Sequence, residues 1–584
     1  MLPPLIASIN YLTLYKQGPD WNMQTFSHIL KHHFDDDPDR VCLYILQTGQ
    51  PDLPLTYRDL IQGAAGYAKT YEKNGILPGE VLILILQHGI DLIYAYFGAI
   101  LHGAIPSIMP FLTEKLLPER YRADLVSLIS ITRPAGIVTY KEFEEVVRSA
   151  ILPEDSVRNI FISGEVDTPF NPDFEELNGI KRNPDDIVLL QHSSGTTGLQ
   201  KGVALSHQAV LNQLESYSAE LGLMEEKDII VSWLPLYHDM GLIACFILPI
   251  LLKIPLVLLS PFDWIRAPYR LLQAVSAYKG TLSWLPNFAY NFCALKIRDR
   301  NLVGVDLSSW RAVINCSEPM YLESHFAFFE RFKGLGLKYD ALVTCYAMAE
   351  NVFAVTQGGI REPVLIDEID RDSLQMEKIA REPQVGKPSV KLLSAGKPLA
   401  GVKVQIMNSE GMSLPERKIG EISINSNCML NGYYNRPDAT EKAFLNGWYL
   451  TGDYGYLVKD HIFVTGRKKD LIIVGGKNVY PQDIEQLAME VAGVHPGRVV
   501  VFGVFNAELG TEDVVLIAEV HTDDPEERER ISDLIRQTVT RGSAITLRQV
   551  VLVGKRWLIK TSSGKIARIA NRKKFLEDFG LNSS

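Results

Sequence analysis

The chain has 584 residues and carries 59 Lys and Arg against 69 Asp and Glu, which gives a net charge of −10. Hydrophobic residues make up 46% and charged residues 22%, a composition that excludes a wholly disordered or collagen-like chain. At roughly 150 residues per domain, the length predicts about three or four compact units. The acidic balance argues against a general nucleic-acid binder, whose binding domain would be basic, so we expect no nucleic-acid partner.

The cysteine positions bear on the cellular compartment, and one long apolar stretch bears on membrane insertion. The six cysteines lie far apart, and none falls in a Cys-x-x-Cys pair, which disfavours structural zinc and favours a reducing, cytoplasmic setting. Residues 241–259 form an apolar stretch long enough to cross a bilayer. Pro249, Lys253 and Pro255 interrupt it, and a central lysine costs about 3 kcal/mol on insertion scales. The stretch therefore predicts a core helix, a turn and a buried strand rather than stable membrane insertion.

The order of the apolar patterns predicts an α/β fold. A strand-like run at Val81–Leu86 precedes a helical pattern from Ile90, and further strand-like runs occur at residues 187–191, 229–233 and 312–315. This alternation is typical of α/β layers, so we predict a large N-terminal domain, residues 1–465, with two parallel-type layers.

Two further units are predicted along the chain. Short strands and Gly-rich turns at about residues 397–465 indicate a β-rich subdomain of the distorted-barrel type within the large domain. After Gly466, Pro481 at the first position of a helix indicates a small α/β C-terminal domain, residues 466–584.

The strongest local signal follows the strand-like run at residues 187–191. It reads Ser193-Ser194-Gly195-Thr196-Thr197-Gly198-Leu199-Gln200-Lys201-Gly202. Hydroxyls, glycines that let backbone N–H groups converge, and one lysine are what a triphosphate requires, although composition alone fits a mobile polar loop equally well. A Walker-type loop needs Gly-Lys-Ser/Thr opening a helix, whereas Val203–Leu205 reads as extended before Ser206 caps the next helix.

This loop resembles the phosphate-binding signature of the adenylate-forming superfamily, which includes acyl-CoA synthetases, nonribosomal-peptide adenylation domains and luciferases. Three later segments carry the resemblance in the same order. Tyr449–Asp453 is similar to the ribose-binding segment, Gly466–Asp470 to the hinge, and Thr561–Lys565 to the C-terminal catalytic lysine loop. The resemblance implies a mobile C-terminal domain that turns near Lys469. It assigns the ATP phosphates to Ser193, Ser194, Gly195, Thr196, Thr197, Gly198 and Lys201.

The chemistry of the later residues suits these roles. Asp453 can accept hydrogen bonds from two ribose hydroxyls, and Arg467 can donate to the same sugar. Lys565 follows a Thr-Ser-Ser-Gly strap, so its long cationic arm can reach a site and stabilise charge on the α-phosphate and carboxylate oxygens. Taken singly, Asp453 is explained better as an acidic residue in a turn, Arg467 as a solvated charge at the hinge, and Lys565 as part of a basic tail.

Further segments complete the site that the resemblance implies. Trp233–Leu242 resembles the segment beside the acyl pocket, so His238 is predicted to orient the substrate carboxylate or to line the mouth of the pocket. A packed, satisfied histidine is an equal alternative. Tyr346–Glu350 resembles the stretch whose tyrosine stacks on adenine and whose glutamate binds Mg²⁺, although Ala347 and Ala349 replace a usual glycine and threonine. The resemblance assigns adenine and ribose to Ser317, Glu318, Pro319, Tyr346, Ala347, Met348, Asp453 and Arg467, and Mg²⁺ to Glu350 with Thr197.

Within the superfamily, the chain is most similar to the fatty acyl-AMP ligases. His-Asp-Met-Gly-Leu-Ile from His238, together with Glu-Pro at Glu318 and Met-Ala-Glu at Met348, carries this closer resemblance. Extra chain lies within about residues 356–392. In the resembled family such an insertion keeps the two domains from the thioester-forming arrangement and weakens transfer to free CoA; a neutral surface insertion is the alternative.

The expected function is ATP-dependent activation of a fatty acid to acyl-AMP, with release of pyrophosphate and transfer to the phosphopantetheine thiol of an acyl carrier protein. Eight Lys and Arg within the last 34 residues would suit an acidic carrier. Two alternatives stay open. The first is a medium- or long-chain acyl-CoA synthetase, and the second is a non-catalytic, nucleotide-sensing scaffold that has kept the fold.

Overall fold

The structure, a computed structural model, describes residues 24–111, 118–193, 201–474, 477–506, 511–543, 545–561 and 564–579. Helices flank largely parallel sheets, so the predicted α/β class is confirmed. The helices of these ranges are α1 (Phe26–Asp36), α2 (Tyr57–Lys73), α3 (Ile90–His102), α4 (Pro118–Thr132), α5 (Glu144–Ala150), α6 (His207–Leu221), α7 (Leu248–Leu251), α8 (Pro261–Arg266), α9 (Tyr269–Tyr278), α10 (Asn287–Lys296), α11 (Leu322–Phe332), α12 (Pro437–Ala443), α13 (Pro481–Met489), α14 (Pro525–Ser543) and α15 (Arg568–Phe579).

Two sheets form the layers of the large N-terminal part and pack around a shared hydrophobic core. Their central strands are parallel, and antiparallel strands are added at the edges. In spatial order, the first sheet contains β17 (Lys397–Pro398), β14 (Ala354–Gly358), β13 (Leu342–Ala347), β12 (Ala312–Asn315), β11 (Leu282–Leu285), β9 (Ile230–Ser232), β10 (Leu256–Leu259), β1 (Val41–Leu46) and β2 (Leu53–Thr56). The second contains β20 (Gly432–Tyr433), β8 (Lys201–Ser206), β7 (Ile187–Ser193), β4 (Ile105–Ile108), β3 (Val81–Ile85), β5 (Gly136–Thr139) and β6 (Asn159–Ile162).

An antiparallel sheet occupies the region that was predicted to be β-rich. Its apolar face joins the large core through Ile422, Ile424 and Ile462, which fixes this sheet against the parallel layers. The strands are β18 (Val402–Met407), β19 (Gly420–Ser426), β21 (Phe444–Leu445), β22 (Trp448–Val458) and β23 (His461–Arg467).

The segment predicted as an insertion contains an antiparallel hairpin of β15 (Ile366–Asp370) and β16 (Ser389–Leu393), with a π-helix at Ser373–Glu377 between them. Ile369 and Leu374 are buried in a small core together with Tyr456 of the antiparallel sheet and Tyr480, which precedes α13. The insertion therefore packs on both the large body and the C-terminal region.

The C-terminal region has its own core on each face of a three-stranded sheet. Helices α13 and α14 cover one face through Ile484, Ile531 and Ile535, and α15 covers the other through Phe575. A division near Gly466 stays a prediction. The strands of this region are β24 (Ile472–Val474), β25 (Lys477–Val479), β26 (Val494–Asn506), β27 (Thr511–Val520) and β28 (Gln549–Val553).

The apolar stretch at residues 241–259 is confirmed as buried core structure. A π-helix at Met240–Ile247 continues into α7, and β10 follows as a fully buried parallel strand. Within the described ranges, we find no helix whose length and apolar character would let it cross a membrane.

Candidate active site

Several predicted site segments follow the carboxyl ends of strands in the first sheet. The His238 segment comes after β9, Ser317 comes after β12, and Tyr346 lies near the end of β13. These three strands run parallel within one sheet, so their carboxyl ends meet at one edge. That edge is where open α/β sheets bind ligands.

The phosphate segment joins two antiparallel strands of the second sheet. β7 ends at Ser193, which pairs with Lys201 at the start of β8, while Ser194, Gly195, Thr196, Thr197 and Gly198 lie outside the described residues. The Lys201 Nζ atom lies 4.4 Å from the centre of the Tyr433 ring, a cation–π distance. As predicted, Ser206 caps the following helix, because its hydroxyl accepts a hydrogen bond from the Ala209 N–H.

Glu350 stands in a short 3₁₀ turn directly after β13. Its Oε1 atom accepts a 2.9 Å hydrogen bond from the Tyr433 hydroxyl, which is also 3.0 Å from the Tyr449 hydroxyl. Burial raises the pKa of Glu350, and the hydrogen bond from Tyr433 partly offsets this effect. The carboxylate is therefore held in one orientation by neutral hydroxyl groups, and it is an oxygen donor suited to a hard cation.

The turn after Glu350 is strained. Val352 has φ 61° and ψ −58°, and the Phe353 N–H donates a 2.6 Å hydrogen bond to the Asn351 carbonyl. This is a γ-turn of the rare, strained kind, and a β-branched residue is seldom found in it. The turn directs the chain back into β14 and lets Phe353 accept a 2.8 Å hydrogen bond from the Met348 N–H. It thereby fixes the segment between Tyr346 and Glu350.

Tyr346, Asp453 and Arg467 meet in a hydrogen-bonded cluster. The Tyr346 hydroxyl donates a 2.7 Å hydrogen bond to Asp453, and Arg467 Nε lies 3.3 Å from the other carboxylate oxygen. Asp453 and Arg467 are register partners on β22 and β23, so the sheet itself sets this pair. The charge of Asp453 raises the pKa of Arg467 further above its usual value. The cluster offers an acceptor and a cation on neighbouring strands.

The Ser317–Pro319 segment is fixed by a buried polar network beneath it. Ser317 has φ 67°, an uncommon backbone conformation that turns the chain sharply after β12. Glu318 accepts a 2.9 Å hydrogen bond from the Phe288 N–H. The Asn315 amide donates a 3.0 Å hydrogen bond to Asn287, whose side chain accepts from the Tyr321 N–H on the other side of the segment.

The His238 side chain contacts the Asp239 carboxylate, with 2.6 Å between Nδ1 and Oδ1. Burial alone would raise the pKa of Asp239, but His238 and Lys565 outweigh it and hold that pKa below its usual value. Asp239 also accepts a 2.8 Å hydrogen bond from the Met240 N–H at the start of the π-helix. Gly241 is required in this turn, since a Cβ atom there would lie 2.3 Å from the Pro235 carbonyl oxygen. A packed, satisfied histidine would make the same contact, so the role of His238 toward a substrate carboxylate stays a prediction.

Lys565 reaches this site from the C-terminal region. Burial and the charge of Arg467 lower the pKa of Lys565, while Glu318 and Asp239 act in the opposite direction. The charged groups that act on Lys565 thus belong to three separate segments, those of Arg467, Glu318 and Asp239. The loop is closed by a 2.8 Å hydrogen bond from the Thr561 N–H to the Lys565 carbonyl, while Ser562 and Ser563 lie outside the described residues.

The predicted hinge follows directly after β23. The Lys468 ammonium donates a 2.8 Å hydrogen bond to Glu421, which also accepts from the Gly452 N–H. Partial desolvation, followed by the charge of Arg467, lowers the pKa of Lys469 to about 8. The chain on the N-terminal side of Lys469 is thus fixed to the antiparallel sheet.

The insertion is bound on both sides of this linker. Asp367 accepts two hydrogen bonds of 3.1 Å from Arg417 and one of 2.8 Å from the Tyr456 hydroxyl, which anchors the hairpin to the antiparallel sheet. On the other side, the Asn478 amide donates a 3.0 Å hydrogen bond to the Gln375 carbonyl, and Arg371 donates to the Gly542 carbonyl. The insertion therefore connects the body to the C-terminal region.

Sequence reasoning missed two residues that support the site, Tyr433 and Glu421, and it included Tyr449 only as the start of the segment similar to the ribose-binding segment. Tyr433 lies in the two-residue strand β20 and Glu421 lies in β19, and neither belongs to a segment that carried a motif. Their partners are distant in the chain, and Tyr433 and Glu350 are 83 residues apart. A local motif could not have identified these contacts, because only the folded sheets bring the partners together.

The chain is similar to known proteins in sequence and in structure. The family of AMP-binding enzymes matches residues 30–434. The medium-chain fatty acid–acyl carrier protein ligase JamA of Moorena producens (strain JHB) is 30% identical over 576 residues, which cover 95% of each chain. The probable long-chain fatty acid–AMP ligase FadD30 of Mycobacterium tuberculosis (strain ATCC 25618 / H37Rv) is 30% identical over 567 residues, covering 91% of this chain and 94% of that protein.

A solved structure extends the similarity to the whole fold. It comes from structural and functional studies of fatty acyl-adenylate ligases from E. coli and L. pneumophila. The two structures superpose with a TM-score of 0.85 at 27% identity, and the match covers 95% of this chain and 99% of the other. The similarity therefore includes the C-terminal region that carries Lys565.

Proposed function

Because this chain belongs to the AMP-binding enzyme family and is an adenylate-forming ligase, we propose that it activates a fatty acid as acyl-AMP. ATP is the second substrate and pyrophosphate leaves. The acyl group then passes to the phosphopantetheine thiol of an acyl carrier protein. The position of Lys565, within electrostatic range of Asp239, Glu318 and Arg467, carries this proposal. It supports a site in which a lysine from the C-terminal region meets the substrates at the carboxyl ends of the parallel strands.

In the first step, a carboxylate oxygen of the acid attacks the α-phosphorus of ATP. The new O–P bond forms as the bond from the α-phosphorus to the bridging oxygen of pyrophosphate breaks. Lys565 stabilises the charge that develops on the α-phosphate and carboxylate oxygens, a preorganised electrostatic role. His238, held by Asp239 at 2.6 Å, orients the acid carboxylate. Lys565 and His238 are the proposed catalytic residues.

The nucleotide is held by the segments around them. Asp453 accepts from the ribose hydroxyls and Arg467 donates to the same sugar, a division of roles that their 3.3 Å pairing supports. Adenine lies between the Ser317–Pro319 segment and the segment formed by Tyr346, Ala347 and Met348. The phosphates contact Lys201 and the loop of Ser193, Ser194, Gly195, Thr196, Thr197 and Gly198.

Glu350 is the proposed protein ligand for Mg²⁺, with Thr197 as the second residue. The described ranges hold no group of three or more His, Cys, Asp or Glu placed to bind a metal ion. A single oriented carboxylate still fits Mg²⁺, which usually keeps several waters and binds substrate phosphates. When bound, Mg²⁺ neutralises charge on the phosphates. Tyr433 keeps the Glu350 carboxylate oriented toward the site.

In the second step, the thiol of the carrier attacks the acyl carbonyl carbon. A C–S bond forms, the bond from that carbon to the AMP oxygen breaks, and AMP leaves. The name of JamA includes an acyl carrier protein, which supports this acceptor. The exposed basic residues of the C-terminal region suit an acidic partner; they include Lys555, Arg556, Arg572 and Lys573.

The insertion favours the carrier over free CoA. Thioester formation requires the C-terminal domain, residues 466–584, to turn about Lys469 relative to the body, residues 1–465. Contacts from Gln375 to Asn478 and from Arg371 to the Gly542 carbonyl hold that domain in its present orientation. These contacts must break before free CoA can react, and a carrier protein can supply binding energy to break them.

A panel of acids with ATP and Mg²⁺, offered either CoA or a holo-carrier protein, tests the function directly. We expect pyrophosphate release and acyl-AMP formation with fatty acids. The thioester should form rapidly with the holo-carrier protein but not with CoA. Rapid acyl-CoA formation would instead identify an acyl-CoA synthetase. A protein that binds ATP without releasing pyrophosphate for any acid would be the non-catalytic scaffold. Deletion within residues 361–390 should raise transfer to CoA, and an unchanged rate would contradict the role of the insertion.

A further inference from the structure

A short stretch of chain, residues 430–434, links the strand after the phosphate loop to the turn that carries Glu350. The Leu430 N–H donates a 2.9 Å hydrogen bond to the Glu350 carbonyl. The Asn431 N–H donates to Ala204 at 2.9 Å, and the Tyr434 N–H donates to Gly202 at 2.7 Å. We call residues 430–434 the bridging segment, because its backbone pairs with both neighbours at once.

The side chain of Tyr433 contacts a charged group on each side, the Glu350 carboxylate and the Lys201 ammonium group. Its hydroxyl donates a 2.9 Å hydrogen bond to Glu350 Oε1, and its ring centre lies 4.4 Å from Lys201 Nζ. Tyr433 is 6% exposed, and polar contacts that are partly shielded from water are stronger than contacts in bulk solvent. The hydroxyl makes the hydrogen bond to the carboxylate, and the ring makes the cation–π contact with the ammonium group. The two contacts can therefore be removed separately.

The position of Tyr433 is set by the fold before any ligand binds. Its N–H donates a 2.9 Å hydrogen bond to the Thr440 hydroxyl, and Thr440 in turn donates to the Arg436 carbonyl at 3.1 Å. The preceding Gly432 has φ 144°, a backbone conformation that other residues rarely adopt. The ring is thus preorganised by α12 and by pairing with β8.

We propose that Tyr433 is a positioning residue that holds Lys201 and Glu350 in fixed relation, so that both act on one triphosphate. A lysine and a glutamate that contact the same side chain could instead pair directly with each other, which would withdraw both from the ligand. A neutral side chain that contacts each group satisfies them without neutralising them. The proposal rests on the proposed function, because it takes Lys201 as a phosphate contact and Glu350 as the Mg²⁺ ligand.

Equilibrium binding of ATP, measured calorimetrically in EDTA and in saturating Mg²⁺, separates the two contacts. Tyr433→Phe removes the hydroxyl and keeps the ring, so ATP affinity in EDTA should stay unchanged. The gain in affinity on adding Mg²⁺ should fall about tenfold, the usual worth of a hydrogen bond to a charged group. Tyr433→Leu removes the ring as well, and it should also weaken binding in EDTA by about threefold.

Tyr434→Phe is the matched control, since it makes the same chemical change one residue away and keeps the backbone bond to Gly202. It should behave as the wild type in both titrations. In a Glu350→Gln background, Tyr433→Phe should have no further effect on the Mg²⁺-dependent gain. Thermal unfolding of each variant checks that the fold is retained.

The proposal is overturned if Tyr433→Phe weakens ATP equally with and without Mg²⁺, or if it cannot be distinguished from Tyr434→Phe. An additive effect of Tyr433→Phe in the Glu350→Gln background would also overturn it. Failure of the proposed function looks different. In that case the wild type would release no pyrophosphate with any fatty acid, while the binding measurements could still follow the expected pattern.

Discussion

The hydroxyl of Tyr346 donates a 2.7 Å hydrogen bond to one oxygen of Asp453, whose other oxygen lies 3.3 Å from Arg467 Nε. Asp453 is 9% exposed, so its carboxylate is oriented by a tyrosine on one sheet and an arginine on another. The Asp453 N–H adds a third restraint by donating to the Thr451 hydroxyl at 3.0 Å. This arrangement preorganises an acceptor for a ligand with adjacent hydroxyl groups.

Replacement of Asp453 by Asn should weaken ATP binding about 10- to 100-fold, because hydrogen bonds to a charged acceptor are lost. The variant should also lose any preference for ATP over the 2′-deoxy nucleotide, since an amide cannot accept from both hydroxyls as the carboxylate does. Calorimetric titration with the two nucleotides measures both effects. Tyr346→Phe is the matched control and should have a smaller effect, because it removes one restraint and keeps the carboxylate. An unchanged ratio of the two affinities in Asp453→Asn would contradict the ribose role.

Replacement of Lys565 by Ala should lower the rate of pyrophosphate release about 100- to 1000-fold, the usual cost of removing one transition-state donor. ATP affinity should change little, because the lysine acts on charge that develops during the reaction. A pyrophosphate assay at saturating ATP, together with nucleotide titration, separates the two quantities. Lys555→Ala removes an exposed cation of the same region and should leave both near wild type. An equal loss in binding and rate would make Lys565 a substrate-binding residue only.

Local sequence patterns predicted much of the fold. The alternation of apolar runs gave β3 and α3, with α3 beginning at Ile90, and the serine cap and the N1 proline marked the starts of α6 and α13. These features depend on neighbouring residues, so the sequence alone carries them. In α14, Ile531 and Ile535 are fully buried, whereas the neighbouring Leu534 is 36% exposed. Helical spacing predicts which side chains share one face of the helix, but the neighbouring sheet determines how much of that face is buried.

The support of the candidate site could not be predicted in the same way. Motifs identified Glu350 and Lys201, but their contact with one tyrosine depends on a two-residue strand, β20, that pairs with β8. The insertion mixes charged and apolar residues, and it packs on both the body and the C-terminal region. The bidentate contact of Asp367, in β15, with Arg417 joins two segments that are 50 residues apart in the chain and leaves no local pattern.

Replacement of Arg371 by Ala should raise thioester formation with free CoA about fivefold, because one hydrogen bond from the insertion to the Gly542 carbonyl is lost. Acyl-AMP formation should be unchanged, since the contact lies outside the proposed catalytic residues. Comparison of acyl-CoA and acyl-AMP yields at fixed time measures the effect. Arg381→Ala removes an exposed arginine of the same insertion, which pairs with Glu377, and should change neither yield. Equal yields for the two variants would show that this contact does not restrain the C-terminal domain.

Asp483, in the first turn of α13, should make stability depend on pH. Burial, and then the negative charge of Glu485, raises the pKa of Asp483 to about 7, while Arg371 opposes the shift. The unfolded chain has the ordinary carboxyl pKa of about 4, so between these values the folded protein binds a proton that the unfolded chain does not. Stability contributed by this group is therefore full below about pH 4 and is lost as the pH rises toward 7.

Asp483→Asn should remove this dependence, because the amide is neutral at every pH. The variant should unfold at a temperature about 2 °C higher than the wild type at pH 8, and the two should converge at pH 4. Thermal unfolding across that range gives the difference between variant and wild type, in which the titration of other groups cancels. Asp533→Asn, at an exposed position of α14, should give no such pH-dependent difference. A constant offset between Asp483→Asn and wild type at all pH values would mean that Asp483 is ionised in both states, and the carboxyl would then have to be paired with Arg371 rather than kept neutral by burial.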